Sequence, residues 1–248
     1  MARFPPSQPR TPLSILWHLI SLASLTYSFN FLYTPGPMHE FMDKQYAGHW
    51  QFLTILSLAA SWLVFAFALL YDIAPLGIFA RLKTSVAVLA VPAEGLVGLL
   101  YWALTLYDPA LLNPDNAEFR LPFAVDMSMH GLPAVYLWVD FLLFSPPFPK
   151  RVRPILLATG ATAAYSVWME HCASINKHFP YPMLDGMAPL SRSLFYLLQI
   201  PVLIGLYKAA NGIHAAVRGA SHAQVEARGA AEAEREVRKA KEEVKKGL

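Results

Sequence analysis

The chain has 248 residues, of which 55% are hydrophobic and only 15% charged, against about 25% charged in an average soluble domain. That balance excludes an ordinary water-soluble domain and points to a multi-span membrane protein. The single cysteine, Cys172, excludes an intrachain disulfide and a cysteine-ligated metal cluster, and the formal net charge of +3 says little because the charges are unevenly distributed.

Residues 1–12 hold Arg3, Arg10 and four prolines and read as a basic, irregular lead. Six apolar stretches follow, at 13–33, 50–71, 82–107, 122–144, 154–175 and 190–210. Each is long enough to cross a bilayer as a helix rising about 1.5 Å per residue. The first is too long for a signal-peptide core and lacks a small-residue cleavage site, so it is predicted to be a span. The fifth, rich in alanine and threonine, carries the weakest apolar signal. Tyr33, Trp50, Tyr71, Tyr107 and Tyr207 fall near span ends, where amphipathic rings favour the headgroup zone. Turn chemistry separates the spans in YTPGP, NPDN, SPPFP and FPYP.

Lys and Arg alternate between the two sides. Nine (Arg3, Arg10, Arg81, Lys83, Lys150, Arg151, Arg153, Lys208, Arg218) share a side with the termini, against four (Lys44, Arg120, Lys177, Arg192) on the other. The excess predicts both termini in the cytosol. The expected fold is all-α: an integral membrane bundle of six transmembrane helices over 13–212, with a charged helical or disordered cytosolic tail over 213–248. In that tail, EAEREVRKAKEEVKK pairs opposite charges at helical spacing, and its alanine-rich apolar positions form no heptad seam.

The stretch 122–144, PFAVDMSMHGLPAVYLWVDFLLF, departs from a plain span. At about 100° per residue, Asp126, His130, Pro133, Leu137 and Asp140 share a stripe about 80° wide, which neighbouring helices must cover. Pro133 has no N–H to give the Met129 carbonyl, so polar backbone is expected beside His130. Counting inward from the non-cytosolic surface puts Thr54 and Asp126 at about 6 Å, and His130 and Glu94 at about 12 Å. Glu170, His171, Asn30 and Gln199 fall in the same half. The other half holds His18 and Asp140, close enough to the interface to snorkel. Thr54, Ser57 and Ser61 make a small-polar stripe on the second span, and Glu94, Gly98, Tyr101 and Thr105 one on the third. Such stripes let helices approach and hydrogen-bond. A polar cavity in one half of a helical bundle is the expectation.

Di-iron histidine boxes, an HExxH zinc helix, a Gly-rich phosphate loop and a GxSxG nucleophile elbow are all absent from the sequence. A hydroxyl nucleophile and a histidine base from different spans remain. WQFLTILSL at 50–58, DMSMHGLPA at 126–134 and FPYPML at 179–184, on six spans of this length, resemble the androgen-induced membrane protein family over roughly residues 13–210. The resemblance implies a six-span protein that hydrolyses fatty acid esters of hydroxy fatty acids with an intramembrane threonine and histidine. The threonine of the family's W-x-x-L/Y-T pattern falls on Thr54 and its histidine on His130. The tail beyond about 213 lies outside the resemblance.

On that reading His130 takes the Thr54 proton, the alkoxide attacks the ester carbonyl, and Asp126, one turn before the histidine, orients the ring. Glu94 is an alternative orienter. No cofactor or metal is expected. The expected partners are a lipid ester and membrane lipids, with no nucleic acid, in the endoplasmic reticulum or plasma membrane. Each residue also has a plainer role. Thr54 could bond back to the preceding turn, Asp126 and Glu94 could pair with neighbours, FPYP could shape a loop, and Cys172 could fill space. A proton-coupled lipid carrier, or a sterol or lipid isomerase, would use the same polar layer.

Overall fold

The computed structural model describes residues 10–112 and 120–246, with side chains through residue 219; Arg3 and the NPDN turn lie outside the described residues. Every regular element among the described residues is helical. Helix α1 (Pro12–Leu32) starts at a capping box between Thr11 and Ser14, with Pro12 in the first turn. The first loop folds into a short α2 (Pro37–Asp43) and a 3-10 turn (Gly48–Gln51). Then come α3 (Leu53–Ile73), α4 (Gly77–Tyr107), α5 (Phe123–His130), α6 (Leu132–Phe144), α7 (Pro154–Asn176), α8 (Pro182–Asp185) and α9 (Pro189–Lys246).

Five of these stretches are long and apolar enough to cross a membrane: α1, α3, α4, α5 with α6, and the first 31 residues of α9. Helix α7 has the length, at 23 residues, but its alanines and threonines leave it less apolar. The stretch 122–144, expected as one helix, is two. The chain breaks at Gly131, and Pro133 sits in the first turn of α6, where a missing N–H costs least. The Trp102 indole N–H donates to the His130 carbonyl at 3.1 Å, satisfying polar backbone at the break.

Helices α3 and α4 form the most extensive pair; α1 lies against α3 and α6, and α9 against α4, α6 and α7. Leu25, Leu58, Phe65, Val91, Leu137 and Phe141 fill the middle. Lipid is as apolar as leucine, so close packing and interhelical hydrogen bonds must hold such helices together. Two of those bonds are Ser28 to Ser128 at 2.9 Å, joining α1 to α5, and Ser61 to the Glu94 carboxyl at 2.9 Å, joining α3 to α4. Helix α7 is attached differently. It rests principally on α9 and the 48–51 turn, through Glu170–Arg192 at 3.0 Å and the Trp168 indole on the Trp50 carbonyl at 3.0 Å.

Two expectations about polar residues are corrected at the end of the bundle where α1 begins and α3 ends. His18 and Asp140 do not snorkel: they are 3% and 2% exposed. The His18 ring bridges two carboxylates, Nδ1 to Asp72 at 2.6 Å and Nε2 to Asp140 at 2.8 Å, while Lys83 Nζ lies 2.8 Å from Asp140. Ser145 donates to Asp140, and the Arg10 guanidinium donates to the Asp72 carbonyl. Lys83, counted above as a loop charge, is 1% exposed because α4 starts at Gly77 and carries it inward. Tyr71 and Tyr207 likewise belong to the buried interior, whereas Tyr33, Trp50 and Tyr107 are exposed. Helix α9 runs without interruption through residue 213, and its His214 donates to the Ser145 carbonyl at 3.0 Å, docking the start of the tail on the bundle.

Candidate active site

Thr54 is the second residue of α3, beside the positive end of its dipole. Phe52, at the N-cap, has no side chain that could cap the helix. Two tyrosines from elsewhere in the chain do so instead. The Leu53 N–H donates to the hydroxyls of Tyr165 on α7, at 2.9 Å, and Tyr181 before α8, at 3.1 Å. Tyr165 donates its own proton to the Gln51 carbonyl at 3.2 Å. Below Thr54 the small-polar stripe is closed on itself. Ser57 donates to the Thr54 carbonyl at 3.1 Å, and the Ser61 hydroxyl lies 2.8 Å from the Ser57 carbonyl and 2.9 Å from the Glu94 carboxyl.

His130 ends α5, where the Gly131 break turns the chain. Its Nδ1 lies 2.8 Å from Asp126 Oδ1, one turn earlier. Its ring lies flat on Tyr101 of α4, centroids 3.6 Å apart and planes 4° from parallel. With Nδ1 held by the carboxylate, Nε2 is the nitrogen left to accept a proton. The approach of α4 depends on Gly98, where an added Cβ would lie 3.3 Å from the His130 carbonyl oxygen. Gly98→Leu is therefore expected to cost about 1–3 kcal/mol by forcing α4 and α5 apart, measured as a lower melting temperature in detergent. An unchanged melting temperature would mean the contact is slack.

Glu94 is placed elsewhere. It is 1% exposed and bonded to Ser61, and the carboxylate on His130 is that of Asp126. Glu170 joins Arg192 and the Tyr196 hydroxyl, His171 lies exposed against Tyr46, and Cys172 is fully buried.

Two cavities meet at Thr54. The larger, about 560 Å³, fills the space that α7 leaves against α3, α4 and α9, and its walls are almost wholly apolar, among them Leu56, Val97, Met169 and Leu203. The smaller, about 390 Å³, is more polar and is bounded by α2, the 48–51 turn and the FPYP segment, with Gln45, His49 and His178 in its wall. Thr54, Tyr101 and Tyr181 line both; His130 lines the smaller one. Burial, reinforced by neighbouring His39, holds the His49 imidazole below its usual range, which favours its neutral form.

Thr54 and His130 thus line one cavity, from α3 and α5, and Asp126 holds the far side of the His130 ring. Three participants were not among the candidates read from sequence: the capping tyrosines Tyr165 and Tyr181, and the loop segments that wall the smaller cavity. The available signal was FPYPML, one of the three resembling segments, whose tyrosine is held between Pro180 and Pro182.

Several lipid-length apolar helices around a hydroxyl- and imidazole-lined interior define a multi-pass integral membrane protein. The FAR-17a/AIG1-like protein model matches residues 13–215, and the chain belongs to that family. It is 32% identical over 202 residues to a UPF0641 membrane protein of Schizosaccharomyces pombe, covering 81% of this chain and 90% of the relative. It is 20% identical over 200 residues to the human androgen-induced gene 1 protein (75% and 82% covered) and 24% identical over 178 residues to the mouse androgen-dependent TFPI-regulating protein (68% and 76%). No solved structure matches the chain.

Proposed function

We propose that this protein is a six-span membrane hydrolase of fatty acid esters, with Thr54 as nucleophile, His130 as base and Asp126 orienting the imidazole. The observation that carries the reading is the meeting of Thr54 and His130, from separate helices, at one cavity, with the other ring nitrogen of His130 on a carboxylate. His130 Nε2 takes the Thr54 proton as Oγ1 bonds to the carbonyl carbon. The alcohol leaves with that proton, and water then cleaves the acyl-threonine with His130 again as base. The apolar cavity suits an acyl chain arriving sideways from lipid, and the more polar one suits the alcohol portion of an ester such as one between two fatty acids. Helix α7, long enough for a sixth span, closes the acyl side; the excess of Lys and Arg in the loops on the side of the termini supports a cytosolic placement of both, in an endoplasmic reticulum or plasma membrane protein.

The alternatives draw less support. The ion cluster around His18 lies outside both cavities, so it lends a proton-coupled carrier no direct support. Glu94 likewise lines neither, which removes one carboxylate from an isomerase scheme. The test is purified protein incubated with a panel of lipid esters, wild type beside His130→Ala. Hydrolysis by the first alone supports the proposal, and hydrolysis by neither or by both rejects it.

Asp126 carries its own prediction. Asn at 126 can donate to Nδ1 and so favour the tautomer with its proton on Nε2, which cannot accept one from Thr54. Asp126→Asn is expected to lower kcat by roughly 10²–10⁴-fold with KM little changed. A kcat within a few-fold of wild type would show that Asp126 does not set the tautomer.

A further inference from the structure

Acyl transfer to a hydroxyl needs more than a nucleophile and a base. As Thr54 Oγ1 bonds to the carbonyl carbon, the C=O π pair moves onto oxygen, and that oxyanion needs a fixed donor. The two amides at this helix end are both engaged: Leu53 N–H donates to two tyrosine hydroxyls, and Thr54 N–H to that of Tyr181. Among those hydroxyls, Tyr165 donates to the Gln51 carbonyl.

We propose that the Tyr181 hydroxyl is the oxyanion donor of this site, a role that rests on the hydrolase reading above. A phenol has one proton to give and lone pairs to receive. The Tyr181 oxygen receives from the Leu53 N–H at 3.1 Å and shares a hydrogen bond with the Tyr165 hydroxyl; a developing oxyanion is a stronger acceptor than that phenol, so the Tyr181 O–H turns to it. It stands in the wall of both cavities, as does Thr54, and the Thr54 hydroxyl lies within hydrogen-bonding reach of it. The carbonyl oxygen is one bond from the carbon that Thr54 attacks, so a donor beside Oγ1 is beside the developing charge. The helix-terminal amide behind Tyr181 polarises its O–H outward, because a hydroxyl that accepts one hydrogen bond donates a stronger one.

The side chain is also preorganised. Pro180 and Pro182 restrict the backbone on either side, and the ring packs edge-on against Phe52, centroids 5.6 Å apart. Burial pushes the Tyr181 phenol up from its ordinary value, so it remains protonated, as a donor must, at neutral pH. The balance closes without any outside reagent. The Thr54 proton goes to His130, the oxyanion is held by the Tyr181 O–H, and its collapse restores C=O and expels the alcohol, which takes the proton from His130. Tyr181 lends a hydrogen bond throughout and gives up nothing.

The experiment compares wild type, Tyr181→Phe, Tyr165→Phe and Thr54→Ala in detergent, with p-nitrophenyl octanoate as substrate and a fluorophosphonate as covalent probe. Tyr181→Phe keeps the ring and removes only the hydroxyl. It is expected to lower kcat about 10²–10³-fold and slow labelling of Thr54 comparably, with KM nearly unchanged. Tyr165→Phe removes the other capping hydroxyl and is expected to lower the melting temperature with less than about a tenfold loss in kcat. A Tyr181→Phe kcat within about threefold of wild type overturns the proposal, as does an equal loss in both phenylalanine variants, which would make capping the whole role. Should Tyr181→Phe fail to fold, 3,5-difluorotyrosine at 181 keeps the shape and ionises at lower pH. Activity should then fall as pH rises through that ionisation, and a profile like that of wild type overturns the assignment. A wild-type protein with neither turnover nor Thr54-dependent labelling overturns the hydrolase reading, and this assignment with it; turnover in wild type with an unaffected Tyr181→Phe overturns the assignment alone.

Discussion

Thr54→Ala is expected to abolish capture of a fluorophosphonate and to lower ester turnover by at least about 10³-fold. The physical reason is that the hydroxyls next along α3 and beside His130 are engaged elsewhere. Ser57 and Ser61 sit on the same helix face, but both donate to backbone or to Glu94 one and two turns deeper. Tyr101 is stacked on His130, and Tyr165 is bonded to Gln51. His130→Ala is expected to fall to the same floor, and the double variant no lower, because nucleophile and base act as one unit and their losses do not add. Thr54→Ser should keep labelling, since it retains the oxygen and loses only a methyl group. Labelling that survives Thr54→Ala would reject the nucleophile, and a double variant much worse than either single one would show that the two residues act independently.

Lys83→Met is expected to destabilise the protein by about 3–5 kcal/mol, on the order of 10 °C in melting temperature. Lys83 and Asp140 are 1% and 2% exposed, with Nζ 2.8 Å from the carboxylate. Removing the cation leaves Asp140 with the Ser145 hydroxyl and with His18, which it shares with Asp72, so two buried carboxylates then share one imidazole. The pair in water would be worth little, but stranding one member in a dry interior costs most of its desolvation. Asp140→Leu combined with Lys83→Met should recover part of that loss, since a well-packed apolar pair needs no solvation. The measurement is thermal unfolding in detergent of both single variants and the double. Single-variant losses below about 1 kcal/mol, or a double variant as unstable as their sum, would show that the pair is solvated. The cluster is roughly 27 Å along α3 from Thr54, at 1.5 Å for each of the intervening residues, so neither single variant should change KM of the folded enzyme.

How much of the site was legible depended on the kind of contact. Asp126 and His130 stood out because ionisable groups are conspicuous in apolar stretches and, four apart, must face one way on a helix; Thr54 was marked only by the resemblance of the segment around it. In the stripe Glu94–Gly98–Tyr101–Thr105, the first three residues do meet neighbouring helices, while the Thr105 hydroxyl is buried without a hydrogen-bond partner among the described residues. The division, Glu94 toward α3 with Gly98 and Tyr101 toward α5, depends on helix rotation, which composition does not encode. Tyr181 was hidden for a different reason. Its partner, the Leu53 amide, is a backbone group with no sequence signature, and it lies far away along the chain.

The amino-acid sequence by itself determined the class: a helical membrane protein, because long apolar stretches in lipid must satisfy every backbone group internally and a helix does so within one segment. It also located the polar residues along each span. Only the tertiary structure decided their partners. Asp72 and Lys83, at a helix end and next to an apparent loop, look solvated when read as a string, yet packing carries both inward to His18 and Asp140. Hydropathy is a sum along one helix, whereas an ion pair or a hydrogen bond between helices depends on the rotation and depth of two, and those are settled only when the bundle packs.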